Sequence, residues 1–471
     1  MKKRTRQTSA VLLLAAMLFL LSQATAADGQ SIRSEVTGEQ NWKTVPAGGE
    51  VPQPADEAAL SHWWTVFNDP LLTSLEERAL KSNFDLRTAL SSIDQARANR
   101  YSASGSLLPS VTVMGSSTGN RNSNWTGGQL SDSNSAQLQA SWEPDFFGAV
   151  RKNIASNDAS IQAAQEGLRN TMVALTAEVA TDYINLRSYQ AQVEVTQSNL
   201  TKYRETYEMT LDKRRSGLAA DLDVTQALET VQATEATLPV LDINIRQTMN
   251  ALAILLAQRP GALDAELAEA KPIPVVPPEV AVGIPADLLR RRPDVKQAER
   301  KVAAQALQVG VAKANLYPTF SLTGTFMTSV ENLLNVLSPA AIGSTVAGSV
   351  QQAILNRRTL KAQVKLQNAL LDQSEIAYDN TLLGAVRDVE NSLYSFGQDH
   401  VKRKSLAEAA GSAEQAAEMS RELYASGLKD FLTVEDSERT VLSAQNSLVQ
   451  ADATVDTDLI ALYKAMGGGW N

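Results

Sequence analysis

A stripe of apolar residues runs through the first half of the chain at alternating steps of four and three. Its positions are Leu168, Met172, Leu175, Val179, Asp182, Leu186, Tyr189, Val193, Thr196, Leu200, Tyr203 and Tyr207, and ten of the twelve are apolar or aromatic. No proline lies between Gly148 and Gly217, so nothing obliges a helix to stop there. The pattern predicts a coiled-coil helix of roughly 100 Å.

The second half of the chain repeats this arrangement. Residues 357–426 contain no proline, although three internal glycines predict a less uniform helix. Ser-Gly-Leu follows each long helix, at 216–218 and at 426–428. Glycine can adopt the positive φ that ends a helix and reverses the chain. Each half is therefore predicted to form a long helical hairpin, with a kink at Pro239 in the first returning helix.

Other spacings also recur and indicate a tandem duplication. Asp85 lies 24 residues before Pro109, and Asp294 lies 24 residues before Pro318. The tip glycine then follows the proline by 108 residues in the first half and by 109 in the second. An internal repeat of this kind predicts two copies of one structural unit.

Two segments, about 108–143 and about 317–352, interrupt the helical pattern and are poor in charge. Val111 and Val113 alternate with polar residues, and Phe320, Leu322 and Phe326 share a parity, so each segment is predicted to form a β-hairpin. Four strands cannot close a membrane barrel. Either the strands are soluble or several chains share one barrel, and the second option is the more economical.

The N-terminus predicts export. Four cationic residues precede the apolar run 11–21, and small residues at 24–26 match a signal-peptidase site.

The predicted segments are a signal peptide (1–26), an N-terminal periplasmic segment (27–70), a first repeat (71–260, tip 216–221), a linker (261–285) and a second repeat (286–471, tip 426–431). No later apolar run is long enough for a membrane-spanning helix.

Charge and composition narrow the functional classes. The formal net charge is −9, and removing the four cations of the signal makes it −9 − 4 = −13. An acidic chain does not suit nucleic acid, which calls for a basic face. There is no cysteine and only two histidines, His62 and His400. Disulfides and thiolate metal sites are therefore excluded, and we predict no cofactor, no metal and no catalytic residue.

Two further motifs favour structural roles. Arg290, Arg291 and Arg292 precede Pro293-Asp294 at a helix start, which is more typical of a solvated or ion-paired element than of a phosphate site. The three glycines at 467–469 are interpreted as a chain terminator.

Four strings together carry a family resemblance. They are WWTVFNDPLLTSLEERALKSNFDLRTAL at 63–90, WEPDFFG at 142–148, GIPADLLRRRPDVKQAE at 283–299 and YKAMGGGW at 463–470. In this order they resemble the TolC/OprM-type outer-membrane efflux proteins, outer membrane factors, in their NodT-like branch. The resemblance implies an α+β membrane protein with two tandem repeats. Each repeat has a long helical hairpin and a β-hairpin, and a homotrimer forms a 12-stranded β-barrel continued by an α-helical barrel.

The resemblance also implies partners and a place. A periplasmic adaptor protein and an inner-membrane pump, commonly of the resistance-nodulation-division type, would complete the machine, and lipid of a Gram-negative outer membrane would surround the barrel. Many OprM-like relatives carry a lipid on an N-terminal cysteine. This chain has no cysteine, so no N-terminal lipid is expected.

Specific residues match the family's gate and docking positions. By the family pattern the periplasmic gate comprises Asp223, Tyr424, Lys429 and Asp436, with Asp436 lining the constriction and Thr433 standing where some relatives have a second acid. The adaptor-docking tips are Gly217, Leu218, Ala219, Gly427 and Leu428. The sequence thus predicts a passive efflux duct and not an enzyme. The alternatives are the exit duct of a type I protein-secretion system and a periplasmic coiled-coil scaffold.

Overall fold

The computed structural model describes residues 60–121, 130–274, 276, 291–330 and 342–470. The predicted signal peptide, most of the N-terminal segment, the two hairpin loops and residues 277–285 of the linker lie outside the described residues.

One order of helix, two strands, a very long helix and a returning helix occurs twice, and a short 3-10 helix at Trp63–Phe67 precedes the first copy. The first copy contains α1 (Pro70–Ser82), α2 (Phe84–Gly105), β1 (Ser110–Arg121), β2 (Leu130–Trp142), α3 (Ala149–Arg215), α4 (Asp221–Glu235), α5 (Leu238–Leu255) and α6 (Asp264–Leu267). The second contains α7 (Pro293–Ala314), β3 (Thr319–Val330), β4 (Ile342–Gln351), α8 (Arg357–Ala425) and α9 (Phe431–Ala465).

The two long helices confirm the helical hairpins that the patterns predict. Helix α3 has 67 residues and α8 has 69, and α8 continues through its three glycines. All twelve seam positions of α3 are buried or partly buried. The first returning helix is interrupted where α4 ends at Glu235 and α5 begins at Leu238, next to Pro239, as predicted.

The described residues pack as two units. The first comprises those within Met1–Leu90, Gly167–Val295 and Asp379–Asn471, and the second comprises those within Ser91–Glu166 and Lys296–Tyr378. The first unit contains the main core around Trp63, Trp64 and Tyr183. Trp63 stacks on Tyr463 with ring centroids 5.4 Å apart. None of the described helices combines the length and the apolar character needed to cross a membrane.

The C-terminal glycines end α9 through the positive φ of Gly467, 71°, and they also pack in this core. The amide of Gly469 donates to the carbonyl of Leu60 at 2.9 Å. A Cβ on Gly468 would lie 2.9 Å from that same carbonyl. Side chains at these positions would clash with the backbone, so the close approach requires glycine.

Arg292 is buried beside these glycines and is ion-paired. An ion-paired role is one of the two alternatives that the sequence predicts for the arginine run. Its guanidinium donates to both carboxylate oxygens of Asp294, at 3.0 and 2.7 Å. It also donates to the carbonyl of Ala465 at 2.9 Å. Arg292 therefore links the start of α7 to the end of α9.

The second unit contains one antiparallel sheet in the order β1-β2-β3-β4. Val113 pairs with Leu138, and Leu138 pairs with Phe326, and these three side chains are exposed on one face. The opposite face carries hydroxyl groups, as in the 2.8 Å hydrogen bond between Ser116 and Ser135. The same face also carries the exposed side chains of Met114 and Met327, so it is mixed in character.

Candidate functional site

Each long helix ends in the same glycine turn. Gly217 has φ 73° and Gly427 has φ 75°. The amide of Leu218 donates to the carbonyl of Lys213 at 2.8 Å, and the amide of Leu428 donates to that of Leu423 at 2.8 Å. These are Schellman turns, in which a residue of positive φ closes the helix.

The turns present leucines to solvent. Leu218 is 76% exposed and Leu428 is 72% exposed, while Ala219 is partly buried. An apolar side chain held outward by a rigid turn is suited to contact with a partner protein.

The helices that follow the turns begin with carboxylate caps. Asp223 accepts a hydrogen bond from the amide of Ala220 at 3.1 Å. In the second copy Asp430 accepts from the amide of Thr433 at 3.0 Å. Hydrogen bonds from the Thr433 hydroxyl and amide lower the pKa of Asp430. Such caps satisfy amides that would otherwise lack partners at a helix start.

Behind the turns, Tyr424 is buried in a small cluster with Ala227, Phe431 and Val434. Its hydroxyl donates to Thr210 Oγ1 at 3.3 Å. Burial raises the pKa of this phenol, and the charge of Asp223 raises it further. The structure therefore brings Asp223 near Tyr424 without a hydrogen bond between them.

The other two predicted gate residues point to solvent. Lys429 lies exposed in the second tip, and Asp436 lies exposed in the second turn of α9. Among the described residues, neither forms a hydrogen bond or an ion pair with Asp223 or Tyr424. Their role in closing a gate remains a prediction.

Lys213 is a tip residue that the sequence reasoning missed. Its ammonium donates to the carbonyls of Tyr424 at 2.7 Å and of Ala425 at 3.2 Å, and it lies 4.6 Å from the centre of the Tyr424 ring. A cation at a helix C-terminus satisfies unpaired carbonyls and opposes the helix dipole. Lys213 therefore joins the end of α3 to the end of α8.

A buried carboxyl group lies on α9 close to the tips, and no pattern in the sequence indicated it. Glu438 is 5% exposed, and its Oε1 accepts from Thr206 at 2.7 Å. Arg421 Nε lies 3.4 Å away, and Tyr203 donates its hydroxyl to the carbonyl of Glu438 at 3.0 Å. These residues connect α3, α8 and α9. Burial raises the pKa of Glu438 to about 7, although Thr206 and Arg421 lower it.

This raised pKa predicts that Glu438 makes the wild type less stable as pH rises. The unfolded chain releases the proton near its ordinary pKa, whereas the folded chain keeps it until about 7. Unfolding free energy should therefore fall between about pH 4.5 and 7 and level off above. Glutamine does not titrate, so this fall should be absent in Glu438→Gln. The difference in unfolding free energy between the variant and the wild type should therefore shift by about 2–3 kcal/mol in favour of the variant from pH 5 to pH 8.

The measurement is denaturant unfolding of the detergent-solubilised protein at pH 5 and pH 8. Glu422→Gln is the matched control, because Glu422 is exposed near the end of the same hairpin. A stability difference between Glu438→Gln and wild type that is equal at both pH values would contradict the prediction.

Comparisons with known proteins bear on this geometry. The model of the family described as outer membrane efflux protein matches residues 75–258 and again 284–468. It therefore matches once in each copy of the repeat.

Curated relatives match over most of the chain. Nodulation protein T of Rhizobium leguminosarum bv. trifolii is 32% identical over 87% of this chain and 88% of its own length. The solvent efflux pump outer membrane protein SrpC of Pseudomonas putida is 29% identical over 92% of this chain and 93% of its own. Among solved structures, the outer-membrane channel OprN is similar with a TM-score of 0.82 and 31% identity, over 92% of this chain and 97% of that one.

Proposed function

Because the chain belongs to the outer membrane efflux protein family, we propose that its helix tips form the gate of a trimeric exit duct. The protein is an outer-membrane channel of a tripartite efflux pump, in a Gram-negative outer membrane. Its fold is the tandem-repeat α+β fold of trimeric channels. The observation that carries the gate proposal is the pair of matched glycine turns, with a buried tyrosine behind one and a capping carboxylate beside the other.

The proposed gate consists of Asp223, Tyr424, Lys429 and Asp436. Tyr424 is held by Thr210 and by the core cluster, so it fixes the end of α8 from behind the tip. Contacts between polar groups of this kind contribute about 1 kcal/mol each. They are strong enough to hold a tip and weak enough to release it.

Asp436 supplies the charge of the proposed constriction. Its exposure supports this role, since three symmetry copies around one axis would attract cations and repel anions. Thr433, at the second family position, is instead hydrogen-bonded to Asp430. Asp436 is therefore the acid proposed for the ring, and the neighbouring Glu435, which pairs with Arg439, is the candidate for a second one.

The proposed partners are a periplasmic adaptor protein and an inner-membrane pump of the resistance-nodulation-division type. The adaptor would contact the tip residues Gly217, Leu218, Ala219, Gly427 and Leu428, whose two leucines are exposed. The pump supplies the energy, and the duct is passive.

The proposed cargo is small toxic organic compounds, including solvents. A relative at 29% identity is named as part of a solvent efflux pump, which favours this class over the type I secretion duct and the coiled-coil scaffold. We assign no catalytic residue. Export is proposed to use residues 1–26 as a signal peptide, and no N-terminal lipid is proposed because the chain lacks cysteine.

The gate is tested with Asp223→Ala combined with Tyr424→Phe. Each protomer should lose about 1 kcal/mol of closing interaction. Three protomers together lose about 3 kcal/mol, which raises the ratio of open to closed channels about 100-fold. Single-channel recording in planar bilayers should therefore show larger and longer openings than in wild type.

A matched double variant is Asp221→Ala with Tyr394→Phe. Asp221 lies in the same first turn of α4 but pairs with Arg214 of its own tip, and Tyr394 is an exposed tyrosine of α8. This variant should conduct like wild type. Unchanged conductance in the first variant would rule out Asp223 and Tyr424 as the lock, and a wild-type protein that never inserts would overturn the channel itself.

A further inference from the structure

A cavity of about 280 Å³ lies in the first packed unit. It is separated from the second helix tip by about seven turns of α8, counted from Arg403 to Gly427. Its lining includes the apolar residues Ile273, Val276 and Val449 and the acidic residue Asp456.

Asp456 is the unusual residue of this cavity. It is only 2% exposed, and its Oδ2 atom has no hydrogen-bond partner. Its neighbour Asp452 is paired with Arg403. Buried polar atoms without a partner are rare in folded proteins and call for an explanation. A ligand that donates to Oδ2 would provide one.

The charges around Asp456 favour a cation. Helix α3 contributes Glu194, helix α8 contributes His400 and Arg403, and α9 contributes Asp452. The described residues of segment 272–276 contribute apolar side chains. Burial and the nearby Arg403 lower the pKa of His400, so His400 is neutral at pH 7.

Asp452 balances the positive charge of Arg403. The other acidic groups of the lining are Glu194 and Asp456. Burial, and secondarily Asp452, raises the pKa of Asp456 to about 8. Near neutral pH this carboxyl therefore holds a proton in the absence of a ligand. A cation bound at Oδ2 would displace that proton.

We propose that this cavity binds a small organic ammonium ion. The ammonium donates to Asp456 Oδ2, and the hydrocarbon part packs on Ile273, Val276 and Val449. A metal ion fits less well, because no three acidic or histidine residues of the described chain are grouped to hold one. An ammonium group has separate N–H donors, and a single acceptor satisfies each of them, so it needs fewer anionic partners than a metal ion. The site is additional to the duct function.

The test titrates n-butylammonium into the purified full-length trimer by calorimetry, at pH 7 and pH 9 and in two buffers of different ionisation enthalpy. Binding should be saturable and tighter at pH 9, where Asp456 is ionised. At pH 7 the heat should depend on the buffer, because the displaced proton passes to it. 1-Butanol, which has the same chain without the charge, should bind more weakly.

Asp456→Asn should weaken n-butylammonium binding by roughly tenfold or more and abolish the dependence on buffer. Asparagine resembles the protonated acid, so the fold should be retained. Val449→Ala should weaken the binding of n-butylammonium but not that of the ammonium ion, added as ammonium chloride. The matched control is Asp372→Asn, since Asp372 is exposed in the other packed unit.

Absence of saturable binding, or equal binding to wild type and Asp456→Asn, would overturn the proposed site. Wild-type conductance in planar bilayers is measured on the same preparation. It tests the duct separately, so the two proposals can fail independently.

Discussion

Single channels of the Asp436→Asn variant are expected to lose most of the cation preference of the wild-type trimer. The variant removes one exposed negative charge from each protomer, and symmetry places the three changes around one axis. Removing about 1 kcal/mol of attraction for a passing cation lowers the cation-to-anion permeability ratio about fivefold. Reversal potentials across a potassium chloride gradient measure this ratio directly.

Salt provides an internal check on the same measurement. The wild-type preference should decrease from about 0.1 M to about 1 M salt, because the screening length shortens to about 3 Å. Asp242→Asn removes an exposed acid from α5 and serves as the charge-matched control. A permeability ratio in Asp436→Asn equal to that of wild type would exclude Asp436 as the selective ring.

Arg292→Met is expected to cause the largest loss of stability. The guanidinium satisfies Asp294 and the carbonyl of Ala465, and it lies 3.5 Å from Asp388. Methionine would leave the buried carbonyl of Ala465 and the two partly exposed carboxylates without their donor. Removing one partner of a fully buried ion pair costs about 3–5 kcal/mol. Because solvent screens the two partly exposed carboxylates, the unfolding free energy should fall by about 2–3 kcal/mol.

The control is Arg97→Met. Arg97 forms an exposed pair with Asp94 on the surface of α2, and such pairs contribute about 1 kcal/mol or less. Denaturant unfolding of both variants and wild type gives the comparison. If Arg292→Met unfolds within about 1 kcal/mol of Arg97→Met, the ion pair does not stabilise the fold in the way that its contacts indicate.

Local signals made the fold predictable. The four-three spacing of apolar residues identified α3 because it reports a periodicity along one helix. The recurrent Ser-Gly-Leu located both tips because only glycine adopts the required φ without strain. The alternation of apolar and polar residues at Val111 and Val113 indicated a strand, because it reports the two-residue period of strands.

The chemistry of the site depended on residues far apart in sequence. Lys213 contacts a carbonyl 211 residues away, and Thr206 contacts a carboxylate 232 residues away. No periodic pattern links such residues, because their proximity is created only when α3, α8 and α9 pack. The packing role of the glycines at 467–469 was missed for the same reason, since their close neighbours include Leu60 and Thr176.

The strand order has a consequence for assembly. Strands β1 and β4 each pair with a single neighbour among the described strands, so the sheet has two open edges beside an apolar face. Unpaired strand edges are not tolerated in the hydrocarbon of a bilayer. A lone chain therefore cannot complete its own membrane wall, and insertion should follow the encounter of three chains. The rate of insertion should accordingly rise more steeply than linearly with the concentration of the protein.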